Sequence, residues 1–205
     1  MNLPNKLTVA RIIAVPFFIA LYMTEHYFLA LLVFILASFT DMLDGKIARA
    51  RGLITNFGKI MDPLADKILV YSAFCLLVAD DDHLVPAWML AVILAREFLI
   101  AGMRTVAASE GIVIAADMSG KIKTVLQMIA VPLLLLVKAS GTAVYNLASF
   151  SALKDIVSSV PSGGAGSSPI NIVALLAWIF LWGSLIMTIV SGASYIIKNK
   201  GVFKE

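Results

Sequence analysis

The chain has 205 residues, of which 60% are hydrophobic and only 14% charged, with a mean hydropathy of +0.95. That composition excludes an ordinary soluble domain and points to an all-α integral membrane protein. A net charge of +3 is too small for a nucleic-acid-binding surface, and the one cysteine, Cys75, excludes an internal disulfide and reads as an inert, packed thiol within an apolar run.

Apolar stretches of about 20 residues, the length that crosses a bilayer core, begin with residues 6–24. Lys6 and Arg11 precede IIAVPFFIALYM as in a secretory leader, but TEHYF follows without a small-residue cleavage site, so a span is expected. Its opening, NKLTVAR, is amphipathic and suits an interfacial segment before the helix turns into the membrane; Asn5, Thr8 and Arg11 either serve that turn or cap the way into a nucleotide site. The second stretch, 27–50, is purely apolar only as far as Asp41, so its acids belong at or just beyond the membrane edge. Residues 60–79 form the third and 86–108 the fourth, which carries Arg96 and Glu97 at a depth where charge is costly without a polar partner. The fifth is 118–138 and the sixth 171–197. Between them lies an outer loop, 139–170, whose PSGGAGSSP portion is flexible in composition and whose VYNLASFSALKDIV portion suits a short interfacial helix. His26 and His83 fall in outer turns, away from the acids. Trp88, Trp178 and Trp182 read as interface or lipid-facing anchors.

Lysine and arginine crowd the termini and the 2–3 and 4–5 connections, whereas the other side holds Lys138, Lys154 and the acidic DDDH turn at Asp80 to His83. By the positive-inside rule both termini are cytoplasmic. The expected architecture is one domain over 1–205: six transmembrane helices with an N-terminal interfacial segment and no internal repeat.

Four carboxylates, Asp41, Asp44, Asp62 and Asp66, sit between the second and third stretches. At helical periodicity Asp41, Asp44, Gly45, Ala48 and Arg49 share an arc of about 140°, and Gly58, Asp62 and Asp66 one of about 80° on the next helix. A turn around RGLITN brings the two faces together as a hairpin. Each intramembrane aspartate costs about 2.5–3.5 kcal/mol on insertion scales, so something cationic must neutralise the cluster. Arg49, Lys59 and Lys67 can do so as a structural salt-bridge network. A ligand set of carboxylates without histidine or cysteine is, however, what magnesium or manganese prefers, and two such ions can clamp a diphosphate. Gly45 and Ala48 leave room for a substrate against the backbone, or for close helix packing, and Arg49 can fork onto phosphate oxygens.

The stretch DMLDGKIARARGLITNFGKIMDPLAD resembles the CDP-alcohol phosphotransferase family: it fits D-x-x-D-G-x-x-A-R, eight residues, then G-x-x-x-D-x-x-x-D without departure at any fixed position. The resemblance implies a six-helix membrane enzyme, usually a homodimer, in which an alcohol attacks a CDP-linked substrate and CMP leaves. Carried over by position, Asp41, Asp44, Asp62 and Asp66 would hold two Mg2+ or Mn2+ ions. Gly45, Ala48 and Arg49 would contact cytidine and diphosphate, with Gly58, Asn5 and Thr8 in the same donor site, and Asp66 would be the general base. LPNKLTVAR, AREFLIAGMR and IAADMSGKIKTVLQM are similar to the branch whose members pass the phosphatidyl group of CDP-diacylglycerol to glycerol 3-phosphate in the cytoplasmic leaflet. The outer loop lies outside the resemblance, and the cytidine preference rests on it alone.

A phosphorylated acceptor needs cations beside the acids. Arg104 shares a helix face with Glu97, seven residues away, and flanks the same cytoplasmic loop as Lys121. Lys121 and Lys123 differ by about 200° on a helix; Lys121, sharing a stripe with Thr124, is expected inward and Lys123 among lipid headgroups. Arg96 either binds phosphate or pairs with an acid such as Glu97 on another helix or a neighbouring chain. Serine, inositol phosphate or a phosphatidyl lipid are alternative acceptors. Intramembrane prenyltransferases separate their paired aspartate motifs, and a divalent-cation transporter needs acids near mid-membrane, so both fit this hairpin less well.

Overall fold

The computed structural model describes the backbone of residues 3–51, 56–109, 111, 117–141, 147–159 and 169–199, and their side chains apart from residues 3, 4, 6, 41–51, 56–60, 62, 63, 66, 159 and 169. Among the described residues there are seven helices and no strand: α1 (Leu3–Met23), α2 (Tyr27–Arg51), α3 (Asn56–Ala79), α4 (Ala87–Ser109), α5 (Met118–Ala139), α6 (Phe150–Ser159) and α7 (Pro169–Lys198). The six long helices coincide with the six apolar stretches. Two of them, α5 and α7, are unbroken enough in apolar character to cross a bilayer by length and composition, while α1, α2 and α3 have shorter apolar portions, Leu7–Met23, Tyr27–Thr40 and Lys67–Ala79.

One expectation is corrected at the start of the chain. No turn sets NKLTVAR apart from the span that follows; it is the first part of one continuous helix that reaches Met23. Pro16 inside α1 and Pro132 inside α5 do not interrupt their helices. The α1 helix ends where Glu25 takes a left-handed conformation, φ 63°. The Glu25 N–H then donates to the Tyr22 carbonyl and the His26 N–H to the Leu21 carbonyl, the paired closure that satisfies orphan carbonyls at a helix C-terminus.

Helix α5 packs along α7, α1 against α2 and α3, α2 against α5, and α4 against α7. Phe18, Phe34, Phe74, Leu134 and Leu181 are fully buried at the centre, and fully buried Ala73, Ala130 and Ala177 let backbones approach closely, the means by which helices associate where lipid removes the hydrophobic drive. The outside bears Phe17, Phe28, Leu36, Phe98, Ile186 and Ile197, all exposed. Cys75 is also exposed, which corrects the packed-thiol reading: its position on α3 turns it outward.

At the end bearing the 80–86 turn, Lys138 of α5 reaches Asp80 at 2.8 Å and Asp82 at 2.6 Å. The Tyr22 hydroxyl donates to Asp80 at 2.6 Å, and the Lys138 ammonium lies 5.1 Å from the centre of the Tyr27 ring. Burial works against the Asp80 charge, yet its bonds to Lys138 and Tyr22 hold its carboxyl below the usual range. The outer connection folds onto the same end. Its helix begins at Phe150 and packs on α7, burying Leu147, Ala148, Ala152 and Ile156; residues 144–146 of the expected helical stretch lie outside the described residues. The three tryptophans form one cluster: Trp182 packs on Trp88 and Trp178, and Phe150 packs on Trp178 and Trp182. The Trp182 indole N–H donates to the Ala148 carbonyl at 3.0 Å.

Candidate active site

The acidic motif occupies two consecutive helix ends. Residues 41–51 are the last turns of α2 and residues 56–66 the first turns of α3, so only positions 52–55 separate the two stripes, where the sequence predicts a turn around RGLITN. The side chains of Asp41, Asp44, Gly45, Ala48, Arg49, Gly58, Asp62 and Asp66 lie outside the described residues. Backbone position alone puts the four aspartates at one end of the bundle, on helices that touch one another.

Lys67, directly after the motif, leads into a polar region of the fold. A cavity of about 830 Å³ opens between α3, α4, α5 and α7, with Lys67, Arg96, Arg104 and Lys121 on its wall beside Glu97, Asp117, Thr124 and Tyr195. The Arg104 Nε donates to the Tyr195 hydroxyl at 3.0 Å, with the guanidinium 5.6 Å from that ring's centre. At the rim, Asp117 accepts from Ser119 and Lys198, and these bonds hold its carboxyl below the usual range.

Glu97 is buried at the base of this cavity, 8% exposed, and binds three cations. Its Oε2 lies 3.0 Å from the Lys67 amine, its Oε1 2.6 Å from Arg96 Nη1, and the same oxygen accepts from Lys123. Among the described residues Arg96 therefore pairs with the acid next to it on the same helix. Its Nε also donates to Ser191 of α7 at 3.1 Å. Lys123 is 2% exposed, which corrects the headgroup reading: it points into the bundle as the counter-charge of Glu97. Lys121 and Thr124 both line the cavity, Lys121 from an exposed position. Thus the two lysines do not divide between site and lipid; one reaches the cavity wall and the other the protein interior beneath it.

Asn5, Thr8 and Arg11 form a stripe on α1 and are 7%, 0% and 2% exposed. Arg11 faces α2, lining a narrow apolar groove with Ala37 and Thr40, one residue before Asp41. Such burial departs from a turn lying among headgroups. His26 is exposed and bonds to Thr24 within its own turn, while His83 sits in the 80–86 turn with φ 47°; neither is near the cavity.

Residues that sequence reasoning did not assign to the site are Glu97 as a hub, Lys67 as a wall residue, and Ser191 and Tyr195. The lone acid of α4 signals the first, because a buried carboxylate demands partners. Nothing local signals Ser191 or Tyr195, which meet α4 from 95 and 91 residues away.

The helix ends that carry the acidic motif adjoin, through Lys67, a cation-lined cavity, an order of groups that suits a transferase acting on phosphorylated substrates. The chain belongs to the CDP-alcohol phosphatidyltransferase family, whose sequence profile matches residues 1–197. It is 39% identical to the CDP-diacylglycerol–glycerol-3-phosphate 3-phosphatidyltransferase of Bacillus subtilis (strain 168), over 97% of this chain and 95% of that protein. Identity to the protein of the same name in Rickettsia typhi (strain ATCC VR-144 / Wilmington) is 35%, over 98% of this chain and 99% of the relative. The Escherichia coli (strain K12) protein of that name is 37% identical over 65% of this chain and 76% of its own.

Proposed function

We propose that this protein transfers the phosphatidyl group of CDP-diacylglycerol to glycerol 3-phosphate, forming phosphatidylglycerol phosphate and CMP. One observation carries the reading from site to chemistry: the residue after Asp66, Lys67, lies on the wall of a cavity that also presents Arg96, Arg104 and Lys121. A phosphate monoester seated there lies one residue along α3 from the acidic motif. The relatives' shared name over nearly the full chain supports the same pair of substrates.

Asp41, Asp44, Asp62 and Asp66 are an all-oxygen donor set on adjoining helices, which suits hard divalent cations. Two such ions, magnesium or manganese, would polarise the donor's diphosphate and acidify the attacking hydroxyl. Gly45, Ala48 and Gly58 leave space beside the backbone for the nucleotide, Arg49 neutralises diphosphate oxygens, and Asn5 and Thr8 close the donor site from α1. Arg104, Lys121 and Arg96 hold the acceptor's phosphate and so aim its hydroxyl at the phosphorus that carries diacylglycerol. As the new oxygen–phosphorus bond forms, the bond to CMP breaks, and Asp66 takes the hydroxyl proton.

The arrangement in the cell follows from the donor. Its acyl chains remain in the bilayer, so the acids and the cavity belong at the cytoplasmic face of the cell membrane, in a single domain over 1–205 with six spans, an outer 139–170 loop and cytoplasmic termini; the homodimer is what the family resemblance implies. The test is CMP release by protein purified in detergent with CDP-diacylglycerol and magnesium, offered glycerol 3-phosphate, serine, inositol phosphate or no acceptor. Release dependent on glycerol 3-phosphate is the expected outcome. Release with serine alone would overturn the acceptor assignment, and no release from folded, metal-supplied protein would overturn the reaction.

A further inference from the structure

Arg96 is held on every side. Its Nη1 donates to Glu97 at 2.6 Å and its Nε to Ser191 at 3.1 Å. A methyl group added at Gly120 of α5 would stand 3.1 Å from its Nη2, and one added at Gly192 of α7 would stand 3.2 Å from its Cγ. Both glycines thus make the room in which the guanidinium lies between α4, α5 and α7. Glu97 holds more than Arg96, because its other oxygen, Oε2, takes the Lys67 amine at 3.0 Å. Lys67 is half-exposed to the cavity, with 45% of its side chain accessible, whereas Glu97 is 9% accessible.

A carboxylate placed behind two cavity cations has a cost, since it offsets positive charge that the ligand would otherwise meet. Lys123 answers that cost. It is buried, is not among the residues on the wall of the cavity of about 830 Å³, and binds the same Oε1 as Arg96, so the four groups together keep a surplus of positive charge facing the cavity. Long cationic side chains lose much conformational freedom when they bind a ligand; fixing them beforehand removes that loss from the binding step.

We propose that Glu97 is a positioning residue for the acceptor: with Ser191, Gly120 and Gly192 it holds Arg96 and Lys67 in one preset geometry, so that two cations from different helices meet one phosphate monoester. This deepens the function proposed above and rests on it. Glu97 does not touch the substrate; it acts through the cations it orients.

The experiment compares KM for glycerol 3-phosphate, KM for CDP-diacylglycerol and kcat in wild-type protein, Glu97→Gln/Lys123→Met, Ser191→Ala and Gly192→Ala. The double variant removes carboxylate and counter-charge together, so no buried lysine is left unpaired. Its acceptor KM is expected to rise about tenfold or more, and that of Ser191→Ala or Gly192→Ala about threefold, with the donor KM unchanged. A merely structural role would alter both KM values or kcat in parallel, and that result, or an acceptor KM within about twofold of wild type in all folded variants, overturns the proposal. Should the double variant fail to fold, Ser191→Ala and Gly192→Ala, which keep every charge, decide the matter by the same criterion. Wild-type protein that releases CMP only with serine would instead overturn the function proposed above, and this inference with it; glycerol 3-phosphate dependence with unmoved acceptor KM overturns this inference alone.

Discussion

At the scale of single residues, charge is the informative feature, because each ionised group inside so apolar a chain needs a stated partner. Asp44 stands in the middle of the acidic stripe; Asp44→Asn keeps the shape and removes one anionic oxygen from the proposed ligand set. Turnover should fall below about a tenth of wild type, as loss of a directly coordinating carboxylate demands, and a CMP-release assay at saturating magnesium checks it. Arg104 differs in kind. It sits on the cavity wall, steadied by Tyr195, and Arg104→Gln removes a charge-assisted bond worth about 1.5–3 kcal/mol. The expected result is a rise of about tenfold or more in KM for glycerol 3-phosphate, with KM for CDP-diacylglycerol unmoved. Sequence spacing offered Arg104, Lys121 and Arg96 as candidates because a phosphorylated acceptor needs cations beside the acids. It misjudged Lys123, since helical periodicity shows that two lysines face different ways but not which way is protein. That choice is made by Glu97, which lies 26 positions away.

At the scale of elements, the apolar stretches mark the six long helices closely, because a run that must satisfy its backbone within lipid has little choice but helix. The errors fall where polar residues are interleaved. The stripe of Asn5, Thr8 and Arg11 has the spacing of an amphipathic segment whether it meets headgroups or a polar protein interior, and the structure chooses the latter by packing α1 on α2 and α3. The segment before α6 has a similar ambiguity. The anchoring of α6 is testable: its Ile156 is buried, and Ile156→Ser replaces a buried apolar group with an unpartnered hydroxyl, a loss of about 2–4 kcal/mol for that contact. Limited proteolysis should then cut the 147–159 segment faster than in wild type while CMP release stays within about twofold, because α6 packs at the end of the bundle opposite the cavity.

At the scale of the whole molecule, charge is sorted between two ends. The cavity end carries the motif and its cations, and the other end is tied by one lysine, Lys138, that joins α5 to the 80–86 turn and through Asp80 to Tyr22 of α1. The sequence marks Lys138 and the DDDH turn as lying on one side of the membrane, but their direct pairing follows from how α1, α3 and α5 pack, which no local pattern encodes. The tie has a pH signature whose sign is fixed by the depressed carboxyl of Asp80. A group whose folded pKa lies below its unfolded value contributes stability that is complete above the unfolded value and disappears as pH falls through the folded one. Stability should therefore decline as pH drops below the ordinary aspartate value of 3.8, and Asp80→Asn should flatten that decline while lowering stability near neutrality. Lys138→Met removes the cation that both aspartates share, at a cost of about 1–3 kcal/mol near pH 7 for hydrogen-bonded charges left without their partner. The check is the thermal midpoint of detergent-solubilised protein as a function of pH. Wild type and Lys138→Met should differ most at neutral pH and converge under acid, where Asp80 is protonated in both; curves that stay parallel throughout would show that this network does not tie α1, α3 and α5 together.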